Sequence, residues 1–225
     1  MPVRQILSTT DQYPIPDWQP TSAQWPSAGI LFLKLNYALT PDGLCFGYHD
    51  DSGFFPGLAD VNAFVSAVSG GPPPSGGQPL PPTSSSTSLT VKIWQPCYVV
   101  VALHPRGNWE FRYDVGAICT DVNDSAAGKQ YFNLRHYLNN RSTVPSQGAA
   151  SGTVPSEPNK CRVVYFSAVS PSVRGSTYSP DQMNMFIRIT QIDPKATNAT
   201  TLALIIDPDI QNTGHPLVDT GDGGN

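Results

Sequence analysis

Proline and glycine set the first limit on this chain. With 23 prolines and 19 glycines among 225 residues, nearly one position in five either fixes φ and lacks an N–H or carries no Cβ. Long helices do not run through such a sequence, so a helical bundle, a coiled coil and a helix-rich α/β enzyme are excluded. Between the breakers lie short apolar runs, several of them alternating with period two. The expected fold class is mainly β: an antiparallel β-sandwich, jelly-roll or Greek-key like, with one short helix and an extended N-terminal arm.

The elements can be placed along the chain. Residues 1–27 hold Pro14, Pro16, Trp18, Pro20, Trp25 and Pro26, so they cannot be regular helix yet carry aromatics that favour burial; they read as an arm laid across the domain. Ile30 to Tyr37, then Pro41-Asp-Gly43, then Leu44 to Tyr48 predict a hairpin. Leu58, Val61, Phe64, Val65 and Val68 recur at helical spacing and predict one amphipathic helix between 57 and 69, stopped by Gly70-Gly71 and three prolines. Residues 70–88 are a Pro/Gly/Ser segment with a single aliphatic residue and read as a flexible loop inside one domain spanning 28–216. The second half is richer in strand runs. Tyr98 to Leu103, fully apolar, suits a central strand, and others are predicted at 89–93, 109–115, 116–120, 130–137, 162–169, 185–192 and 200–206. Residues 217–225 read as a flexible tail.

Charge narrows the function classes. Thirteen Lys and Arg stand against 17 Asp and Glu, for a net charge of −4, and the basic residues are scattered singly along the sequence. No nucleic-acid partner and no membrane partner is expected. The first residues lack a signal-peptide apolar core, and no run approaches the roughly 20 apolar residues of a membrane span; a cytoplasmic location is the expectation. Cys45, Cys97, Cys119 and Cys161 lack the close spacing of a zinc site and read as four reduced core thiols.

Two loops carry side chains suited to a site. His49-Asp50-Asp51 puts an imidazole beside two carboxylates just after a strand, a setting for a metal or for proton transfer, and these three residues are also candidates for ligand binding. His104, Arg106, Asn108 and Trp109 fall in a loop between two strong strands, a mixture suited to a glycan or small ligand, although Trp109 equally fits the core. Ala127-Gly-Lys-Gln130 lacks the remainder of a phosphate-binding loop. In the last strand region, Asp207, Asp209 and Asn212 around Pro208 are expected to close the strand through backbone hydrogen bonds, with calcium ligation as the alternative; no cofactor is otherwise expected.

The Leu204 to Gly214 stretch, with its Ile206-Asp-Pro-Asp-Ile-Gln-Asn-Thr-Gly214 ending and the preceding Met183-Asn-Met-Phe186, resembles a group of short bacterial proteins labelled nucleotide synthetases. The resemblance covers about one fifth of the chain and implies a bacterial source. No phosphate loop or basic cradle is visible in the sequence to carry nucleotide chemistry. From the residues, the expected function is therefore a non-catalytic β-sandwich for self-assembly or interaction, forming a homo-oligomer through its N-terminal arm or sheet edges. A glycan- or small-ligand-binding module is the first alternative. An unrecognised hydrolase or nucleotide enzyme, with His49 and Asp51 as its acid and base, is the second.

Overall fold

A computed structural model describes residues 13–17, 29–41, 43–80, 89, 91–93, 95–120, 131–143, 160–168, 181–191, 200–206 and 209–212. Among them are fifteen strands and one α-helix: β1 Tyr13–Pro14, β2 Gly29–Thr40, β3 Gly43–Tyr48, β4 Gly53–Pro56, α1 Val61–Gly70, β5 Gln78–Pro79, β6 Val91–Ile93, β7 Cys97–Leu103, β8 Trp109–Phe111, β9 Ile118–Thr120, β10 Tyr131–Leu138, β11 Arg141–Thr143, β12 Val163–Ala168, β13 Asp181–Gln191, β14 Thr200–Ile206 and β15 Asp209–Asn212. A 3-10 turn, Tyr113–Val115, follows β8. The chain is mainly β, as its breakers and alternating runs require.

The strands form two sheets. One runs β11-β10-β12-β7-β2-β4-β5, with β3 also on β2; the other runs β1-β9-β13-β15-β6, with β8 and β14 also on β13. The expectation of purely antiparallel pairing needs correction. β2 and β7 are parallel from Ile30↔Tyr98 to Leu35↔Leu103, and β15 and β6 are parallel as well. Parallel pairing needs a crossover connection, and the chain between β2 and β7 includes α1.

β7 shows why its sequence is continuously apolar. Val99, Val101 and Leu103 join a core cluster that also holds Trp109, Phe111, Ile118, Met183, Met185 and Ile187 of the other sheet. Val100 and Ala102 point the opposite way, into a second cluster with Phe64 and Val65 of α1. Each strand face is thus covered. α1 begins one turn later than its periodicity implies, because Asp60 caps it by accepting the Ala63 N–H at 3.0 Å; Leu58 stays outside the helix and exposed. The strand expected over 109–115 ends at Phe111, where the chain turns into the 3-10 segment.

Of the expected arm, residues 13–17 are described and touch both sheets; residues 1–12 and 18–27, with Trp18 and Trp25, lie outside the described residues. Tyr13 and Pro14 pair with Thr120 and Cys119, Ile15 enters the shared core, and the Pro16 carbonyl accepts the Asn133 N–H at 2.9 Å. Asp17 then pairs with Arg135 at 2.6 Å. All four cysteines are free thiols; three are buried and Cys45 is half-buried. Burial pushes the Cys97 thiol up to about 12 and Cys119 up to about 11, so neither is a nucleophile at neutral pH. No described helix is long and apolar enough to cross a membrane.

The Pro/Gly/Ser segment departs from a featureless loop in its first half. Gln78 and Pro79 form β5 against Phe54 and Gly53, and Leu80 packs on the core; residues 81–88 lie outside the described residues. Gly53 permits this pairing, since a Cβ there would lie 2.5 Å from the Gln78 carbonyl oxygen. Gly53→Ala is therefore expected to push β5 away and to cost about 1–3 kcal/mol, read by urea unfolding. An unchanged midpoint would show that β5 contributes nothing.

Candidate active site

β2 is longer than any of its partners, and the site sits where two of them meet. Along one edge it pairs with β4 over Gly29–Phe32 and with β3 over Leu35–Thr40. The chain joining those partners, residues 49–52, bulges outward as a β-turn closed by Ser52 N–H to the His49 carbonyl at 2.9 Å. Lys34 holds the bulge from both sides. Its carbonyl accepts the His49 N–H at 2.7 Å, and its own N–H donates to Ser52 Oγ at 2.9 Å.

On the opposite edge of β2, β7 ends at the same level. The His104 N–H donates to the Leu35 carbonyl at 2.8 Å, and His104 opens a second β-turn closed by Gly107 N–H at 3.2 Å. The two turns are alike: each begins with a histidine whose Nδ1 accepts the N–H of the residue two positions on, Asp51 for His49 and Arg106 for His104, both at 3.2 Å. The rings meet with centroids 4.9 Å apart. The parallel β2–β7 register thus brings together the two loops that the sequence offered separately.

The neighbourhood is strongly charged. Asp51 Oδ2 lies 2.5 Å from Lys34 Nζ and 3.4 Å from His49 Nδ1. The hydrogen bond from Lys34, aided by its charge and by the two histidines, holds the Asp51 carboxyl below the usual carboxylate range. His104 is lowered from 6.5 first by burial and then by the charges of Lys34 and its other neighbours His49 and Arg106, with Asp51 pulling the other way. An accepting Nδ1 puts the proton of neutral His104 on Nε2, where it can donate.

These shifts have a sign. The depressed His104 makes the folded protein bind fewer protons than the unfolded chain, so its contribution to stability is lost as pH falls below 6.5. In proton NMR the His104 ring is expected to titrate below 6.5, and lower still in Asp51→Asn, which removes the one charge raising it. A rise in Asp51→Asn would mean that Asp51 does not face this ring.

The remaining expected residues have other places. Trp109 is 1 % exposed and is core rather than a ligand platform: its Nε1 donates to the His104 carbonyl at 2.7 Å, and its ring packs on Tyr37 and Phe46. Gly107 is needed because a Cβ would meet the indole Nε1 at 2.6 Å. Asn108 is a tie between layers, donating to the Thr190 carbonyl at 2.6 Å and accepting from Lys160 Nζ. Asp50 and Arg106 are exposed at the turn tips. Asp207 lies outside the described residues, and of Asp209 and Asn212 only the backbone, in β15, is described, so calcium ligation there has no side-chain geometry. Among the described residues no cluster of three or more His, Cys, Asp or Glu forms a metal site.

Sequence reasoning passed over Lys34. A single cation inside the otherwise apolar run Ile30 to Leu35 was the available signal, since a charge there must find a partner.

The C-terminal motifs also come together. Met183–Phe186 lies on β13, whose Met185 pairs with Ile206, and Asp181 further along pairs with Ile210 beyond Pro208. The chain expected to leave the sheet at Asp207-Pro208 instead resumes pairing with the same strand. Residues 77–215, which include both motifs and the His104 turn, match a family described as predicted novel nucleotide synthetase. The chain belongs to this family. No curated protein matches it. Membership in a nucleotide synthetase family corrects the expectation of a non-catalytic module for self-assembly, structure or ligand binding; it points to an enzyme. Lys34, His49 and Asp51 precede the matched region and complete the site from the N-terminal half.

Proposed function

We propose that this protein is a nucleotide-condensing enzyme whose reaction takes place at the paired histidine turns. The contact of the His49 and His104 rings, centroids 4.9 Å apart, beside the Lys34–Asp51 ion pair is the observation that carries this reading. For His49 to act as base, its Nδ1 gives up the Asp51 N–H bond of the resting structure and donates instead to the Asp51 carboxylate 3.4 Å away, which leaves Nε2 free to take a proton. In this reading an acceptor hydroxyl or phosphate oxygen attacks a phosphorus of the nucleotide and loses its proton to His49 Nε2. The new P–O bond forms as the P–O bond to the departing phosphate or pyrophosphate breaks. His104 Nε2–H and the exposed Arg106 guanidinium meet the charge gathering on the phosphoryl oxygens. Lys34 is a positioning residue that holds Asp51 and both ends of the bulge.

The finer architecture belongs to the same proposal. We read residues 28–216 as one β-sandwich domain of jelly-roll or Greek-key type, supported by a core cluster drawn from both sheets. Incubation with nucleoside triphosphates followed by phosphorus NMR tests the activity: loss of triphosphate resonances with growth of a new phosphoester or phosphoanhydride signal is expected. Triphosphates that stay intact with stoichiometric protein would count against the reading.

A further inference from the structure

The end of the β11-to-β5 sheet that carries the histidine pair also carries a cleft. Across this end, Leu103 of β7 donates its N–H to the Arg162 carbonyl at 2.8 Å, Val163 pairs with Ala102, and Tyr137 pairs with Val163. The start of β12 and the end of β10 therefore lie beside the end of β7. Between them and the last turn of α1 opens a cleft of about 460 Å³, with Ser69, Tyr137, Asn139, Asn140, Lys160 and Arg162 among its lining residues. Its size falls within the range of about 300–1,000 Å³ typical of small-molecule sites.

The lining is unusual for an acidic protein. The chain holds 17 Asp and Glu against 13 Lys and Arg, yet two cations and no carboxylate face this cleft among the described residues. Lys34 and Arg106 at the neighbouring turns and Arg141 in the β10–β11 hairpin lie at the same sheet end, where Lys34 is paired with Asp51. The amides come from a tight hairpin: Leu138 pairs with Arg141, and Asn139 and Asn140 take left-handed φ of 52° and 59°, which asparagine tolerates better than most residues. Tyr137, Leu138 and Val163 supply an apolar wall. Lys160 connects the cleft to the histidine pair, since its Nζ bonds Asn108 in the loop that His104 opens.

We infer that the cleft is an anion-binding subsite for a phosphate chain, held by Lys160 and Arg162 and hydrogen-bonded by Asn139 and Asn140. Its connection to turnover rests on the proposed function; its affinity for phosphate does not. The chain can belong to a nucleotide or to free polyphosphate, and both present the same oxygens to a guanidinium and an ammonium.

Calorimetric titration of the full chain with tripolyphosphate, with a nucleoside triphosphate and with the bare nucleoside tests this. Tripolyphosphate and the triphosphate are expected to bind, and the nucleoside about tenfold more weakly or worse. Arg162→Ala is expected to weaken both phosphate ligands by about tenfold or more. Ser69→Glu places a carboxylate at the exposed rim without disturbing the core, and is expected to do the same while the thermal melt stays cooperative. His104→Ala is expected to keep tripolyphosphate affinity within about twofold while turnover is lost. Wild type that does not bind tripolyphosphate, or folded Ser69→Glu that binds it as wild type does, overturns the subsite. Affinity lost in His104→Ala but kept in Ser69→Glu also overturns it and moves the phosphate to the histidine pair. Turnover kept in His104→Ala with affinity lost in Ser69→Glu overturns the proposed function and leaves the subsite standing. Tripolyphosphate bound without the nucleotide identifies free polyphosphate as the source.

Discussion

Replacing His49 with Gln is expected to lower turnover of the nucleotide substrate by about 10²–10⁴-fold, the usual contribution of a positioned general base, while the protein remains folded. His49 is half-buried at the start of the bulge, and its backbone bonds to Lys34 and Ser52 do not depend on the side chain. What is lost is the imidazole facing Asp51. His104→Ala is expected to fall in the same range through loss of the Nε2–H donor, and the double variant to be little worse than the more impaired single, because groups that act as a unit lose their effect together. Additive losses would show that the two rings act independently. Steady-state kinetics with both variants, alongside a melt of each, separates loss of chemistry from loss of fold.

Trp109→Ala is expected to be the most damaging change to stability among the residues of this region, about 3–5 kcal/mol as for other large aromatic truncations. The indole packs edge-on against Tyr37 at 4.7 Å and is stacked on Phe46 at 6.3 Å, and Gly107 beside it has no side chain to fill the space it would leave. Trp109→Phe separates packing from the hydrogen bond. It keeps a ring but leaves the His104 carbonyl without the 2.7 Å bond from Nε1, so a smaller loss of about 1 kcal/mol is expected, together with reduced turnover as the His104 turn loosens. Chemical denaturation reads the first effect and kinetics the second. Normal turnover in Trp109→Phe would show that the turn is held well enough by the Leu35 and Gly107 bonds.

The local elements were legible because each rests on neighbours in sequence. Pro41 and Gly43 flank the β2–β3 turn, the spacing of Val61, Phe64 and Val65 marks the buried face of α1, and the unbroken apolar run of β7 marks a strand covered on both sides. The short strands were not legible. β5 is a Gln-Pro pair whose only reason to be a strand is Gly53 across from it, and β15 follows a proline that ends most strands. The candidate site was half visible. His49, Asp51, His104 and Arg106 are conspicuous in their loops, but their meeting depends on the parallel register of β2 and β7, which nothing local encodes. The basic residues looked scattered for the same reason: Lys34, Arg106, Lys160 and Arg162 lie on segments far apart in sequence that meet at one sheet end. Trp109 deceived in the opposite direction, since a tryptophan beside a polar turn fits a ligand platform and a core anchor equally well until its exposure is known.

Every role proposed for the site requires that a nucleotide engage the histidine pair. Carbon-13 labelled protein titrated with a nucleoside triphosphate reports this directly through the histidine ring signals. The His49 and His104 resonances are expected to move together and to saturate, while His136, buried and stacked on Tyr113, stays in place. His49 and His104 signals that remain unmoved at a nucleotide concentration saturating for turnover would contradict the account.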